Sequence, residues 1–131
     1  MLHKFLQNTL YRDKMPDILR AQGSIIHVEQ LNDQQYETQL KIKLAEETQE
    51  VIASSSPQEL IEELADVYEV IDALCTLHNI SSEDVRQVQI KKQNTRGGFY
   101  QRMFVTIAEH PAGSYGEKYC RTQPEKYPEI I

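Results

Sequence analysis

Two long segments of helical periodicity lie on either side of a short break in the middle of the chain. The first has a cap at Asn32, with Gln35 three residues later to complete a capping box, and it is predicted to run to about Ala53. The motif SSSP then ends it and starts the next helix, with Ser56 as the cap, the proline at the first helical position and Glu59 as the capping-box acid. Helices joined by so short a loop pack antiparallel, so the sequence predicts a helical hairpin at the centre of the fold.

Shorter helices are predicted on both sides of this hairpin. The second long helix should end near His78, and a third helix, capped by Ser81 or Ser82, should end near Arg96, before two glycines. A short helix is expected at residues 16–23, where a proline can open it and a glycine can close it.

Two stretches rich in β-branched and apolar residues, 24–31 and 102–110, predict short strands that pair antiparallel. The last stretch is rich in Pro, Gly and Tyr and has no helical period. The expected architecture is therefore all-α, a bundle with antiparallel core helices and a small two-stranded β element. We expect one domain over residues 1–131, with the helical core at about 10–99 and a C-terminal extension at about 100–131.

The charges are distributed unevenly along the chain. Its formal charge is −6 at pH 7, yet residues 44–85 hold eleven acidic residues and no lysine or arginine. All fourteen basic residues lie outside this stretch, together with the other nine acids. A nucleic-acid-binding protein needs a broad basic face, so this pattern argues against nucleic acid as a partner. An acidic centre between basic flanks suits a cation held between the protein and an anionic substrate.

Several other classes of protein are disfavoured by what the sequence lacks. No stretch approaches the roughly 20 apolar residues of a membrane span, and the first residues lack the apolar run of a signal peptide, so we expect no membrane partner and a cytoplasmic location. Cys75 and Cys120 match no metal-binding spacing, and Cys75 is expected to be a buried thiol. The chain has no GxxxxGK[ST] motif, so phosphate binding through a P-loop is not expected.

The apolar stripes of the two long helices contain acidic residues. The stripes are formed by Tyr36, Leu40, Leu44 and Val51 in the first helix and by Leu60, Leu64, Val67, Ile71 and Leu74 in the second. Because a helix advances about 100° per residue, Glu47 falls inside the first stripe and Glu63 inside the second. Glu50 lies on the flank of the first stripe and Asp66 at the edge of the second. Antiparallel packing should bring these four carboxylates together.

Four neighbouring carboxylates need a compensating positive charge. Burial of one unpaired carboxylate costs several kcal/mol, so the group must bind protons or a divalent cation. Ligands that are all oxygen, with no thiol and no obvious histidine, favour Mg²⁺ or Mn²⁺ over zinc. The alternative interpretation is a solvated acidic surface, and it is preferred for the acids that point outward: Glu46, Glu59, Glu62, Glu69 and Asp72.

The spacing of the four acids resembles a known signature. Glu47-x-x-Glu50, twelve intervening residues and Glu63-x-x-Asp66 resemble the metal-binding motif of the MazG-like, all-α NTP pyrophosphatase superfamily. The segments KLAEETQEV and EELADVYEVIDAL resemble its two core helices. YRDKMPDIL and KKQNTRGGF resemble further blocks of the subgroup described as phosphoribosyl-ATP pyrophosphohydrolase-like or house-cleaning. The resemblance covers about residues 10–99.

What the resemblance implies is a Mg²⁺-dependent hydrolase that cleaves the α–β phosphoanhydride of an NTP or dNTP, releasing a nucleoside monophosphate and pyrophosphate, in a homodimer or homotetramer. By match to the motif, the metal ligands are Glu47, Glu50, Glu63 and Asp66. The flanking blocks supply candidate phosphate-binding residues: Arg12, Lys14, Lys92 and Arg96. Lys43 could contact phosphate or form a structural ion pair with Glu47. Glu46 could orient or deprotonate a water molecule, although it is expected to point outward.

Two alternatives to this function stay open at this stage. The substrate could be phosphoribosyl-ATP instead of an ordinary or modified nucleoside triphosphate. The chain could also be a non-catalytic helical module that binds a nucleotide or a partner, although the intact set of four acids argues against this.

Overall fold

The computed structural model describes all 131 residues and contains five α-helices and no β-strand. The helices are α1 (Met15–Ala21), α2 (Asp33–Ala53), α3 (Pro57–Leu77), α4 (Ser82–Arg96) and α5 (Tyr115–Arg121). The predicted all-α class is therefore confirmed. None of the five helices combines the length and the apolar composition that crossing a bilayer requires.

Backbone contacts divide the chain into two compact units, Met1–Lys91 and Lys92–Ile131. The boundary falls inside α4. The first unit contains the hairpin of α2 and α3, which are the two helices that pack most extensively against each other.

Both ends of α2 lie where the sequence predicts them. The side chain of Asn32 accepts a hydrogen bond from the backbone N–H of Gln35 at 2.9 Å, and the side chain of Gln35 accepts one from the backbone N–H of Asn32 at 3.1 Å. This is the predicted capping box. The helix ends at Ala53, and Ser54 is already extended.

The start of α3 is correctly placed, but its capping box is only half formed. Ser56 Oγ accepts from the backbone N–H of Glu59 at 3.1 Å, and a proline occupies the first turn. The carboxylate of Glu59, however, accepts from the backbone N–H and the hydroxyl of Ser55, one residue before the cap. The predicted return bond to Ser56 is therefore wrong, because the bent connection offers Glu59 two donors on Ser55.

The hairpin is antiparallel, as its polar contacts show. His78, just after α3, contacts Glu37 near the start of α2. At the opposite end, Glu50 near the end of α2 approaches Glu63 near the start of α3.

Only three apolar residues of the chain are buried, and none of them completely: Leu40 is 4% exposed, and Val70 and Cys75 are each 8% exposed. Burial of Leu40 confirms the predicted stripe of α2. In α3 the predicted stripe is confirmed in part: Val67, Ile71 and Leu74 are half-buried. In the first two turns, however, Leu60 and Leu64 remain 38% and 40% exposed. An apolar face of α3 consequently stays uncovered, formed by Leu60, Ile61, Leu64 and Tyr68.

The predicted two-stranded β element is wrong. Residues 24–31 and 102–110 are irregular and form no backbone ladder. Their apolar side chains stay exposed, with Ile25 at 63% and Val105 at 71%. The preference of β-branched residues for strands depends on a half-buried sheet surface, and neither stretch has one here.

Helix α5 lies in the last stretch of the chain, where the absence of a helical period predicted no helix. Ser114 Oγ accepts from the backbone N–H of Glu117, and the Glu117 carboxylate accepts from the backbone N–H of Gly113 at 2.8 Å. The pattern Ser-x-x-Glu at 114–117 is a helix-start signal that could have revealed it.

Glu37→Gln is expected to lower the free energy of unfolding at neutral pH and to have little effect in acid. The His78 Nε2–H donates to Glu37 Oε1 at 2.7 Å, and Lys41 Nζ lies 3.4 Å away; these contacts, His78 first, hold the pKa of Glu37 below its ordinary value of 4.5. A lowered carboxyl pKa stabilises the fold above the ordinary value, and that contribution is lost as the pH falls through the folded-state value. Urea unfolding at pH 7 and pH 3 measures the difference, with Glu29→Gln as the control. An equal loss at both pH values would mean that packing, not charge, explains the effect.

Candidate functional site

Three of the predicted acids meet at the loop end of the hairpin. Glu47 and Glu50 project from the last turns of α2, three residues apart, and Glu63 projects from the second turn of α3. One carboxylate oxygen from each lies within 4.8 Å of the other two. The predicted convergence of α2 and α3 acids is thus present for these three.

The three carboxylates differ in their access to water. The Glu47 side chain is 13% exposed, whereas Glu50 is an exposed residue. Glu63 is half-buried, and its Oε2 atom is enclosed without a hydrogen-bond partner. An enclosed carboxylate oxygen without a partner is unfavourable unless a proton or a cation satisfies it.

Electrostatics within the group disfavour the fully ionised state. Burial raises the pKa of Glu47, the charge of Asp66 adds to the rise, and Lys43 partly opposes it. The pKa of Glu63 is also raised, first by burial of its carboxyl and then by Glu50, with which it can share a proton. A proton shared by Glu50 and Glu63, or a bound cation, would each relieve this repulsion.

Asp66, the fourth predicted acid, has a different partner. Arg12 donates from a terminal guanidinium nitrogen to Asp66 Oδ1 at 2.5 Å, and this hydrogen bond raises the pKa of Arg12 further. The side chains of Arg12 and Asp66 are 56% and 37% exposed. The structure therefore presents three grouped carboxylates and, beside them, an ion pair between α3 and the segment before α1.

Lys43 lies on the same side of α2 as the group. Its Nζ is 3.3 Å from Glu46 Oε2 and 3.8 Å from Glu47 Oε1, so the ion pair considered from the sequence is formed. Lys43 Nζ also donates to Thr9 Oγ1 at 3.3 Å. Glu46 is half exposed, as its outward direction predicted, and its carboxylate accepts from both Lys43 and Thr9.

The remaining basic candidates are placed on exposed positions. Lys14 is the residue that precedes α1. Lys92 and Arg96 lie on the last turns of α4 and belong to the second unit. Of the predicted basic residues, Lys43 and Arg12 are the two whose ion pairs join the predicted acids.

An open depression adjoins the grouped carboxylates. It is lined by residues from the end of α2, the connection and the start of α3, including Gln49, Glu50, Ser54, Glu59 and Glu63. Gln49, Ser54 and Glu59 were not among the predicted site residues. Glu59 could have been found, because it lies one helical turn before Glu63.

The donor set fits a hard divalent cation. Carboxylate oxygens are the ligands that Mg²⁺ and Mn²⁺ take in proteins, and no histidine or cysteine belongs to the group. Acidic surfaces are also common without any ion, and a plain solvated surface is the alternative. That alternative predicts hydrated carboxylates, whereas Glu63 Oε2 is enclosed and its carboxyl is close enough to Glu50 to share a proton.

Comparison of the chain with protein-family models, with curated proteins and with solved structures gives no match. The functional argument therefore depends on the side chains of this chain.

Proposed function

We propose that the protein is a Mg²⁺-dependent nucleoside triphosphate pyrophosphohydrolase of the MazG-like kind, acting in the cytoplasm on an NTP or dNTP. The observation that carries the proposal is the group of Glu47, Glu50 and Glu63, whose oxygens lie within 4.8 Å of one another and which includes the unpaired Oε2 atom of Glu63. The resemblance of these acids and of Asp66 to the superfamily's metal signature supports it.

The proposal assigns a role to each residue of the candidate site. Glu47, Glu50 and Glu63 would hold Mg²⁺, joined by Asp66 when its ion pair with Arg12 opens. The ion supplies neutralisation of phosphate charge and activation of water when bound. Lys43 offsets part of the acidic charge on the α2 side, since it lies within 3.8 Å of both Glu46 and Glu47. Glu46 Oε2 already accepts from Lys43 and Thr9, so we assign Glu46 only a secondary part in the chemistry, the orientation of a water molecule. The open depression beside Glu50 and Glu59 gives room for the triphosphate.

Pyrophosphate release is expected from at least one nucleoside triphosphate and only when Mg²⁺ or Mn²⁺ is present. A panel of canonical and modified dNTPs, NTPs and phosphoribosyl-ATP, assayed with the metal and with excess chelator, identifies the substrate class. Preferred release from phosphoribosyl-ATP would favour that substrate instead. No release from any compound, together with a melting temperature that Mg²⁺ leaves unchanged, would favour a non-catalytic module.

We also propose that the protein is a homodimer or homotetramer. The chain buries only three apolar residues, and none of them completely, which is a small core for a chain of this length. The uncovered face of α3 is apolar, with Ile61 at 61% and Tyr68 at 69% exposure, and of the acids of α3 only Asp72 lies at its border. Such a face can pair with its own copy about a two-fold axis.

A further inference from the structure

The segment before α1 is attached to the acidic end of the hairpin at two points. Arg12 forms the 2.5 Å ion pair with Asp66 on α3. Three residues earlier, Thr9 donates from Oγ1 to Glu46 Oε2 at 3.5 Å and accepts from Lys43 at 3.3 Å, both on α2. The segment therefore bridges the two helices that carry the grouped carboxylates.

Arg12 occupies Asp66 Oδ1, an oxygen of the fourth acid in the predicted ligand set, next to the three grouped carboxylates. A guanidinium and a divalent cation both satisfy a carboxylate, but they repel each other when they share one. The charge of Asp66 also acts on Glu47 and Glu63, and the charge of Glu47 acts on Arg12, so Arg12 lies within the field of the group.

We propose that Arg12 is a displaceable counter-ion of Asp66: it neutralises the site before a cation binds, and cation binding releases it together with the segment around Thr9. The inference rests on the proposed function, because it requires a cation at the grouped carboxylates. Once released, the planar fork of Arg12 faces the same region with its donors free, and it pairs there with a phosphate of the substrate. Arg12 thus changes partner between the two states, from Asp66 to a phosphate of the substrate.

The Arg12–Asp66 ion pair is exposed to water, with side chains 56% and 37% accessible, so a cation can replace Arg12 at little cost. Ion pairs between solvent-accessible side chains are worth up to about 1 kcal/mol, which corresponds to about a fivefold change in affinity. Removal of Arg12 should therefore tighten cation binding by about two- to fivefold. The same removal should raise KM for the nucleotide, because the phosphate loses a donor.

Titration with Mn²⁺, followed by the electron paramagnetic resonance signal of the free ion, measures the affinity of the 131-residue chain for the cation. Arg12→Gln is expected to bind Mn²⁺ about two- to fivefold tighter than the wild type, and Arg12→Lys should fall between them. Lys14→Gln is the matched control, since it removes the same charge two residues away without removing an ion pair to Asp66. Hydrogen exchange of the wild type should also show faster exchange at residues 9–14 when Mn²⁺ is added.

The outcomes separate this inference from the function on which it rests. If the wild type binds Mn²⁺ but Arg12→Gln and Lys14→Gln change the affinity equally, Arg12 is not a specific competitor and the inference is wrong. If hydrogen exchange at residues 9–14 of the wild type does not respond to Mn²⁺, the proposed release of this segment is wrong. This test uses the wild type alone, so it does not depend on whether a variant folds. If neither the wild type nor any variant binds Mn²⁺, the proposed function is wrong, and the inference about Arg12 is then wrong as well.

Discussion

Glu63→Gln is expected to abolish pyrophosphate release and the response to Mg²⁺ while making the cation-free protein more stable. The amide keeps the size of the side chain, removes one of three neighbouring charges and supplies N–H donors to Glu50 and Glu47. Loss of a ligand should reduce turnover by more than about a hundredfold, since removal of even outer partners of a metal site typically costs 10- to 100-fold. Thermal melts with and without Mg²⁺, together with the pyrophosphate assay, give both results from one preparation.

The stability gain should depend on pH in a definite direction. Because the fold raises the pKa of Glu63 above its ordinary value of 4.5, the folded protein holds this proton more tightly than the unfolded chain. The destabilisation of the wild type is therefore absent below the ordinary value, develops as the pH rises and is complete above the raised value. Glu63→Gln should match the wild type in acid and exceed it at neutral pH when no cation is present.

Glu62→Gln is the matched control, because it makes the same substitution on the neighbouring, exposed side of α3. It should leave turnover, the response to Mg²⁺ and cation-free stability close to those of the wild type. Full activity in Glu63→Gln would show that this carboxylate is no metal ligand. Equal behaviour of the two variants would favour a solvated acidic surface.

The sequence predicted the local features well because their signals are local. The caps at Asn32 and Ser56 each depend on residues within three positions, and both occur as expected. The exposure of Leu60 and Leu64 could not be predicted in the same way. Both belong to the apolar stripe of α3, and periodicity does not say how far along the helix that stripe is covered by other elements.

The candidate site was predictable to the extent that it lies within the hairpin. Glu47, Glu50 and Glu63 follow from helical spacing and one short loop. The partner of Asp66 was not predictable, because Arg12 lies 54 residues earlier in the chain and no pattern links the two. From the sequence, Arg12 was predicted only as a candidate phosphate-binding residue.

Leu40→Ala is expected to lower the free energy of unfolding by about 2–4 kcal/mol, as truncation of a buried leucine does. Leu40 is 4% exposed and is the only buried residue of α2. Few other buried side chains can compensate for the cavity. Urea unfolding at neutral pH measures the change, and the loss should be the same at every protein concentration, because the cavity lies within one protomer.

Leu64→Ala removes the same atoms from α3 at a position that is 40% exposed in the single chain. If the uncovered face of α3 is where two copies meet, this loss should grow with protein concentration, because the wild type then gains stability from association and the variant gains less. Sedimentation of both proteins should show the wild type at a multiple of the 15.2 kDa protomer mass and the variant shifted toward the protomer. A small, concentration-independent loss for Leu64→Ala, with a wild type that sediments as one chain, would contradict the proposed oligomer. The α3 face would then remain exposed to water in the native protein.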